Sequence, residues 1–373
     1  MIDAVLRALA MAGSMAWEIL WALVLGFGLS AVVQAVVPKE AVVRLLGDDR
    51  PVTLVTATAA GAASSSCSYA AVALARSLFR KGAGFTAAIT FEVASTNLVL
   101  ELGVLLALLL GWQFTAAEFV GGPVMIVLLA VLFRLVLSRR AVERAREQAD
   151  RGLAGSMEGH AAMDMSVGWR RLFSPEAFTA VAHVFVMEWA AIWKDLVAGL
   201  LIAGAVGAWV PHDVWRALFL TDDPLLGAVW GPIIGPVVAV LSFVCSIGNV
   251  PLAVVLWTGG ISFGGVVSFI FADLIILPIL NIYRKYYGAG MAGLLGASLF
   301  ATAVLAGYAV ELLFGAAGWV PPRSGARLPA EGISWNYTTW LNIAAIVVAG
   351  ALLARFVRTG GLPMLRMMGG EPG

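Results

Sequence analysis

The sequence has little charge and few cysteines. Of its 373 residues, 13% are charged and 61% are hydrophobic. A chain with so few charged residues cannot enclose its apolar side chains in a soluble core, which excludes a soluble protein. Its net charge of +1 argues against a nucleic-acid partner. The two cysteines, Cys67 and Cys245, are too few to form a disulfide framework.

Several functional signatures are also missing. The sequence contains no phosphate-binding P-loop and no Ser/His/Asp set in a catalytic order. We therefore expect no ATP-driven pumping by this chain alone, no enzymatic activity and no cofactor. Residues 1–22 run into a long apolar stretch without a convincing small-residue cleavage site, so we expect no cleaved signal peptide.

Long apolar stretches occur along the whole chain. A helix that crosses a bilayer needs roughly 20 mostly apolar residues. Stretches of this kind lie at residues 14–37, 84–110, 117–137, 184–210, 262–282, 291–314 and 336–357. The sequence therefore predicts an all-α integral membrane protein that crosses the inner (plasma) membrane of the cell several times.

The two cysteines lie at equivalent positions of an internal repeat. Cys245-Ser246 follows Cys67-Ser68 by 178 residues, and several other residues match at the same offset. These pairs are Leu74 and Leu252, Gly82 and Gly260, Phe85 and Phe263, Phe91 and Phe269, and Ala94 and Ala272. Chance matching in alanine- and leucine-rich helices is the alternative. A repeat of this kind is typical of secondary transporters whose site lies between the repeats.

The repeat divides the chain into four parts. We predict a first transmembrane repeat at 1–137, a linker at 138–175, a second transmembrane repeat at 176–314, and an exposed loop with one extra C-terminal transmembrane helix at 315–373. The linker is rich in arginine, with Arg139, Arg140, Arg144, Arg146, Arg151, Arg170 and Arg171. By the positive-inside rule the linker is cytoplasmic.

Small and polar residues interrupt both cysteine-bearing segments. Each segment, 52–80 and 228–257, is either one broken span or a re-entrant hairpin of two half-helices. If both are hairpins, the second repeat is inverted and the basic residues outside are Arg7, Arg216, Arg323 and Arg327. If all segments span and the N-terminus is inside, the basic residues outside are Lys39, Arg44, Arg50, Arg216, Arg284, Lys285, Arg355, Arg358 and Arg366. The charge pattern favours inverted repeats.

Two facing breaks would form a polar site near the bilayer midplane, since non-helical backbone at that depth needs protein or water beside it. The candidate substrate ligands are the hydroxyl, thiol and amide groups of Ser66, Cys67, Ser68, Asn97, Cys245, Ser246 and Asn249. Thiolates prefer soft ions such as Cu(I), and the same chemistry suits trivalent arsenicals and Hg(II). The alternative is that these residues are small packing residues between helices.

Ionisable residues lie in the spans that follow the cysteines. Carboxylates inside a membrane are costly and often mark ion or proton pathways, so Glu92 and Asp273 are candidates for ion coupling. Asp273 aligns with Ser95 in the repeat. By helical spacing Glu92 and Ser95 share one face, as do Asn97 and Glu101. Hydrogen bonds that hold the helices together are the alternative.

The linker contains a run of soft-metal ligands. Met157, His160, Met163 and Met165 offer the thioether and imidazole groups that Cu(I) accepts. They suggest a second function, a membrane scaffold or metal sensor that acts through this loop. A chance cluster of methionines is the alternative.

Around its cysteines the chain resembles the ArsP-like family of permeases. That family shows a Cys-Ser-Cys turn, a Pro-Leu-Ala helix start, a Lys-Gly loop and a Pro-Ala-Thr-Asn stretch. The matching residues here are Cys67-Ser68, Lys81-Gly82, Thr96-Asn97, Cys245 and Pro251-Leu252-Ala253. Tyr69 stands where the family has its second cysteine.

The resemblance implies a secondary permease, since the known member type of the family exports trivalent organoarsenicals. We therefore predict efflux of a small thiophilic metal or metalloid species. The partners of the protein would be this small-molecule or ion substrate and the lipid bilayer.

Overall fold

The structure is a computed structural model. It describes residues 2–36, 45–64, 68–80, 82–150, 174–209, 214, 218–220, 223–242, 249–325, 335 and 337–363. These residues form helices and short turns, with no β-strand among them. The predicted all-α class is thus confirmed for the described part of the chain.

Seven helices are described before the arginine-rich linker ends. They are α1 (Ile2–Val36), α2 (Pro51–Ser64), α3 (Ser68–Arg80), α4 (Phe85–Asn97), α5 (Leu100–Leu109), α6 (Trp112–Val136) and α7 (Arg139–Asp150). The helices that follow are α8 (Pro175–Trp209), α9 (Pro224–Ser242), α10 (Asn249–Gly259), α11 (Phe263–Ile270), α12 (Leu277–Tyr287), α13 (Ala289–Ala317) and α14 (Tyr337–Arg358). Short 3₁₀ turns lie at Asp273–Ile275 and Arg323–Gly325.

Five segments in the described part of the chain are long and apolar enough to cross a membrane. They are Phe85–Leu109, Trp112–Val136, Leu225–Ser242, Ala289–Ala317 and Thr338–Arg358. Their length and composition make the protein a multi-pass membrane protein.

Two of the predicted spans are each divided. The stretch at 84–110 consists of α4 and α5, which are separated by Leu98 and Val99. The stretch at 262–282 consists of α11, the 3₁₀ turn at Asp273–Ile275 and α12. The second division has a local cause, because Pro278 lies in the first turn of α12, where a proline starts a helix. Both divisions leave non-helical backbone inside the protein.

The two longest described helices, α1 and α8, pack antiparallel along their length. Trp209 near the end of α8 donates a hydrogen bond from Nε1 to the carbonyl of Ala4, at 2.9 Å. Farther along, the rings of Phe27 and Trp189 lie 5.2 Å apart. Helix α14 packs against α1, where Asn342 donates to the carbonyl of Trp17 at 2.7 Å.

Helices α6 and α13 are also antiparallel, and they define the two ends of the molecule. The rings of Trp112, at the start of α6, and Trp319, just after α13, lie 6.1 Å apart. The end of the molecule where these two rings lie is called the opposite end, and the other is called the α7 end. At the α7 end, Arg134 donates to the carbonyl of Asp49 at 3.4 Å, and Gln148 of α7 donates to the carbonyl of Lys285 at 3.3 Å.

Two glycines allow close helix packing in the two halves of the protein. A Cβ atom on Gly61 of α2 would lie 2.9 Å from Cβ of Ala94, and also against the carbonyl of Phe91 on α4. A Cβ atom on Gly235 of α9 would lie 2.6 Å from Oγ of Ser268 on α11. Small residues at helix contacts let backbones approach closely in membranes.

We expect Gly61→Ala and Gly235→Ala each to destabilise the protein, because the added methyl group has no space. Overpacking of this kind costs about 1–3 kcal/mol, which lowers the thermal midpoint by several degrees. Gly293→Ala is the matched control, since a Cβ atom on this helical glycine meets nothing within 4 Å. Thermal unfolding of the purified variants in detergent measures the effect. Equal midpoints for all three variants would contradict the close packing.

Candidate functional site

Asp273 lies at the centre of a buried polar cluster that joins the two halves of the chain. Its Oδ2 accepts a hydrogen bond from the hydroxyl of Ser68 at 2.8 Å. Its Oδ1 accepts one from Nδ2 of Asn97 at 3.3 Å. All three side chains are fully buried. The structure thus brings together three residues that the sequence identified separately as candidates.

Helix ends supply all three side chains. Ser68 is the first residue of α3, Asn97 is the last of α4, and Asp273 opens the 3₁₀ turn between α11 and α12. Beyond Asn97 the backbone becomes extended, with φ −103° and ψ 139° at Val99. Backbone that leaves the helix at membrane depth is tolerated where it lies in protein or lines a cavity. Asn97 and Asp273 therefore lie where helices are broken, as expected for a binding site in a transporter.

A second carboxylate, Glu92, lies close to this cluster. Its Oε1 accepts a hydrogen bond from the hydroxyl of Tyr283 on α12, and both side chains are fully buried. Glu92 also interacts electrostatically with Asp273. Ser95 lies on the same face of α4, as predicted, and its hydroxyl donates to the carbonyl of Glu92 at 2.9 Å.

Several buried polar atoms of the predicted site residues have no hydrogen-bond partner among the described residues. They are Oε2 of Glu92, Oδ1 of Asn97, and both Oδ1 and Nδ2 of Asn249. Asn249 is the first residue of α10 and is fully buried. Unpaired buried polar groups are costly, so each is available to a proton, an ion or a polar substrate.

Eight predicted site residues lie outside the described residues. They are Ser66, Cys67, Cys245, Ser246, Met157, His160, Met163 and Met165. The described helices end at Ser64 and Ser242 and resume at Ser68 and Asn249 on either side of the two cysteine-bearing stretches. The predicted roles of both cysteines and of the methionine-containing loop therefore stay predictions. Among the described residues, no group of three or more His, Cys, Asp or Glu side chains could hold a metal ion.

Two buried residues were not predicted as site residues. Tyr283 was not identified as a site residue, because nothing in the sequence near it indicates a partner 191 residues away. Glu118 on α6 is 1% exposed, its carboxylate interacts electrostatically with that of Glu101, and neither of its oxygens has a partner among the described residues. Its position inside an apolar span could have identified it.

One predicted pairing is wrong. Asn97 and Glu101 were expected to share a face of one helix, but α4 ends at Asn97 and α5 begins at Leu100. The extended backbone between them breaks the helical spacing, so Asn97 turns to Asp273 whereas Glu101 interacts with Glu118.

Comparison with known proteins agrees with this architecture. The model of the ArsP_1 family, described as a predicted permease, matches residues 4–312. A protein of Mycobacterium tuberculosis (strain ATCC 25618 / H37Rv) named "Putative permease Rv2963" is 67% identical over 342 residues, which cover 90% of this chain and 84% of that protein. No solved structure matches the chain significantly. The chain therefore belongs to the ArsP_1 family of predicted permeases and is a multi-pass protein of the inner membrane.

Proposed function

We propose that this permease is a secondary transporter that exports a small thiophilic metal or metalloid species through the cluster around Asp273. The observation that carries the proposal is the pair of hydrogen bonds from Ser68 and Asn97 to a fully buried carboxylate. A buried carboxylate held between broken helices is an arrangement that binds and releases charged species in transporters.

The two halves act as inverted repeats in this proposal. Two features support it. Broken helices occur at matching places, between α4 and α5 and between α11 and α12. Asp49 and Lys285 lie with α7 at one end, as the inverted arrangement requires if the arginine-rich linker is cytoplasmic.

The cysteines would supply the preference for soft cargo. Cys67 directly precedes Ser68 in the chain, and Ser68 donates to Asp273. Cys245 lies four residues before Asn249, whose buried amide has no partner among the described residues. Thiolates select soft metal and metalloid ions over hard ones.

Proton binding at Glu92 or Asp273 would drive the export. Two electrostatically coupled carboxylates inside a membrane favour the uptake of a proton, because both cannot easily carry a charge at once. Proton entry would then be exchanged against release of the cargo.

The cysteine substitution Cys67→Ala/Cys245→Ala tests the choice of cargo. We expect everted membrane vesicles with this variant to lose uptake of a trivalent organoarsenical and Hg(II), because both soft ligands are gone. Uptake should fall to the background of vesicles that lack the protein, while the amount of folded protein in the membrane stays the same. Transport at the unchanged rate would reject the role of the thiols.

Deletion of residues 157–165 is the control for this experiment. It removes Met157, His160, Met163 and Met165, the run on which the alternative function of a scaffold or metal sensor depends. A transporter keeps its basal flux without this run. The sensor would be favoured by two results together. The deletion of residues 157–165 would abolish all function, and the cysteine substitutions would leave the flux unchanged.

A further inference from the structure

An arginine that follows each half of the protein binds the end of a short helix within that half. In the first half, Arg146 of α7 donates from Nη2 to the carbonyl of Ala83 at 2.9 Å, and from Nη1 to the carbonyl of Phe79. Its guanidinium carbon lies 4.1 Å from the centre of the Phe79 ring. Hydrogen bonds and a cation–π contact thus fix the end of α3.

The second half repeats these contacts. Arg323, in the 3₁₀ turn after α13, donates from Nη2 to the carbonyl of Ile261 at 3.1 Å. Its guanidinium carbon lies 5.0 Å from the centre of the Trp257 ring. Hydrogen bonding to a carbonyl and stacking on an aromatic ring are therefore combined at the end of α10, as they are at the end of α3.

The groups that the two arginines contact are equivalent in the internal repeat. Trp257 follows Phe79, and Ile261 follows Ala83, by the same 178 residues that separate the cysteines. Between them lie Gly82 and Gly260, each with φ 111°, a value that favours glycine. The same backbone turn is thus bound by the same type of side chain in both halves.

The two contacts lie at opposite ends of the molecule. Arg146 is part of α7 and so lies at the α7 end. Arg323 comes shortly after Trp319 and so lies at the opposite end. A cavity of about 400 Å³ lies beside Arg146, lined by residues that include Asp49 and Phe85. One of about 440 Å³ lies beside Arg323, lined by residues that include Glu311.

One of these half-helices begins at the polar cluster, and the other begins at a buried residue that was predicted to bind substrate. Helix α3 begins at Ser68, which donates to Asp273, and ends at the turn that Arg146 binds. Helix α10 begins at the buried Asn249 and ends at the turn that Arg323 binds. Movement of α3 would therefore displace a residue of the cluster, and movement of α10 would displace a predicted substrate ligand.

We propose that Arg146 and Arg323 are paired positioning residues of the transport cycle. Each holds one half-helix closed at its own end, so that release of one arginine opens the polar cluster to one side only. This inference rests on the proposed function, in which the cluster opens to the two sides in turn.

The α7 end has additional contacts. Arg76 of α3 donates from Nη2 to the carbonyl of Ala149 at 2.5 Å, and its guanidinium carbon lies 4.2 Å from the centre of the Tyr286 ring. Gln148 donates to the carbonyl of Lys285. Because these bonds also hold α7 in place, we expect a smaller effect on loss of Arg146 than on loss of Arg323.

The test measures the accessibility of the cluster from each side. In a protein with Cys67→Ser and Cys245→Ser, the substitution Ser68→Cys provides one thiol at the buried start of α3. A membrane-impermeant cationic methanethiosulfonate is added to one side of oriented proteoliposomes, and the labelling rate is measured. We expect Arg146→Gln to raise the rate from the α7 side, and Arg323→Gln to raise it from the opposite side. Loss of a charge-assisted hydrogen bond predicts a change of about tenfold or more.

Arg140→Gln is the matched control, since Arg140 lies exposed on the same helix as Arg146. Its labelling rates should equal those of the parent protein on both sides. A merely structural role would loosen the protein and raise labelling from both sides for each variant. Increased labelling from both sides would overturn the inference. So would an increase on the same side for both arginine variants, or no increase for either.

The experiment has a second pair of variants in case the first does not fold, and it does not depend on the identity of the cargo. If a glutamine variant does not fold, Arg146→Lys and Arg323→Lys keep the charge but lose the forked hydrogen bonding, and should change labelling in the same directions by less. Labelling needs no cargo, so failure to transport an organoarsenical would reject the proposed cargo without affecting this test.

Discussion

Replacing Asp273 with asparagine is expected to reduce the transport rate roughly 100-fold or more, since two hydrogen bonds to a buried charged group are weakened together. The carboxylate accepts from the Ser68 hydroxyl and the Asn97 amide. An asparagine keeps one acceptor oxygen and places an NH₂ group where the other was, so one of the two donors then faces a donor. The negative charge that would attract a proton or a cation is also lost.

The initial rate of cargo uptake into everted vesicles, per amount of folded protein, measures this effect. Asp273→Glu keeps the charge and should retain part of the activity. Ser268→Ala is the matched control, because Ser268 is equally buried, precedes Asp273 by five residues, and donates to the carbonyl of Gly265 in its own helix, at 3.0 Å. If Asp273→Asn transported at the parent rate, the cluster would not be the transport site.

Replacing Glu92 with glutamine is expected to uncouple transport from the proton gradient. Glutamine keeps an oxygen that accepts from the hydroxyl of Tyr283, but it cannot bind and release a proton. For one exchanged proton, a gradient of one pH unit supports about tenfold accumulation of cargo in the parent protein. We expect this accumulation to disappear in the variant, whereas exchange of cargo for cargo continues.

Accumulation and exchange in proteoliposomes with an imposed pH gradient separate the two effects. Tyr283→Phe removes the hydrogen bond and keeps the carboxylate, so it should slow transport without uncoupling it. Thr302→Val serves as the control, because the buried Thr302 hydroxyl donates to the carbonyl of Ser298 within its own helix, at 2.9 Å. A Glu92→Gln protein that still accumulates cargo in response to the gradient would assign coupling elsewhere.

The helical fold could be predicted from the sequence because apolar length is a direct physical requirement for crossing a bilayer. The divisions at Leu98 and before Leu277 could not, since both lie in apolar sequence and hydropathy averages across them. The sequence contains only weak signals of these two helix breaks. Asn97 and Asp273 are single polar residues, and Pro278 starts a helix without changing the hydropathy.

Most members of the candidate site were predictable, but their contacts were not. Glu92 and Asp273 stood out because a carboxylate in an apolar span is costly. Their partners are distant in sequence, since Ser68 lies 205 residues from Asp273 and Asn97 lies 176 residues from it. No local pattern contains such separations. Tyr283 was missed for the same reason, whereas repeat symmetry indicated that the two halves meet.

The pairing of α1 and α8 has a consequence for the surrounding lipid. Each helix has 35 residues, a length of about 52 Å at the usual rise of an α-helix. The hydrocarbon core of a bilayer is only about 30 Å thick, so upright helices of this length extend into the headgroups and beyond. Because the two pack along their length, they must tilt together as one body. If the pair crosses the bilayer, its excess length is accommodated by tilting, by kinking or by local thickening of the bilayer, so the lipid composition would act on the permease through these two helices.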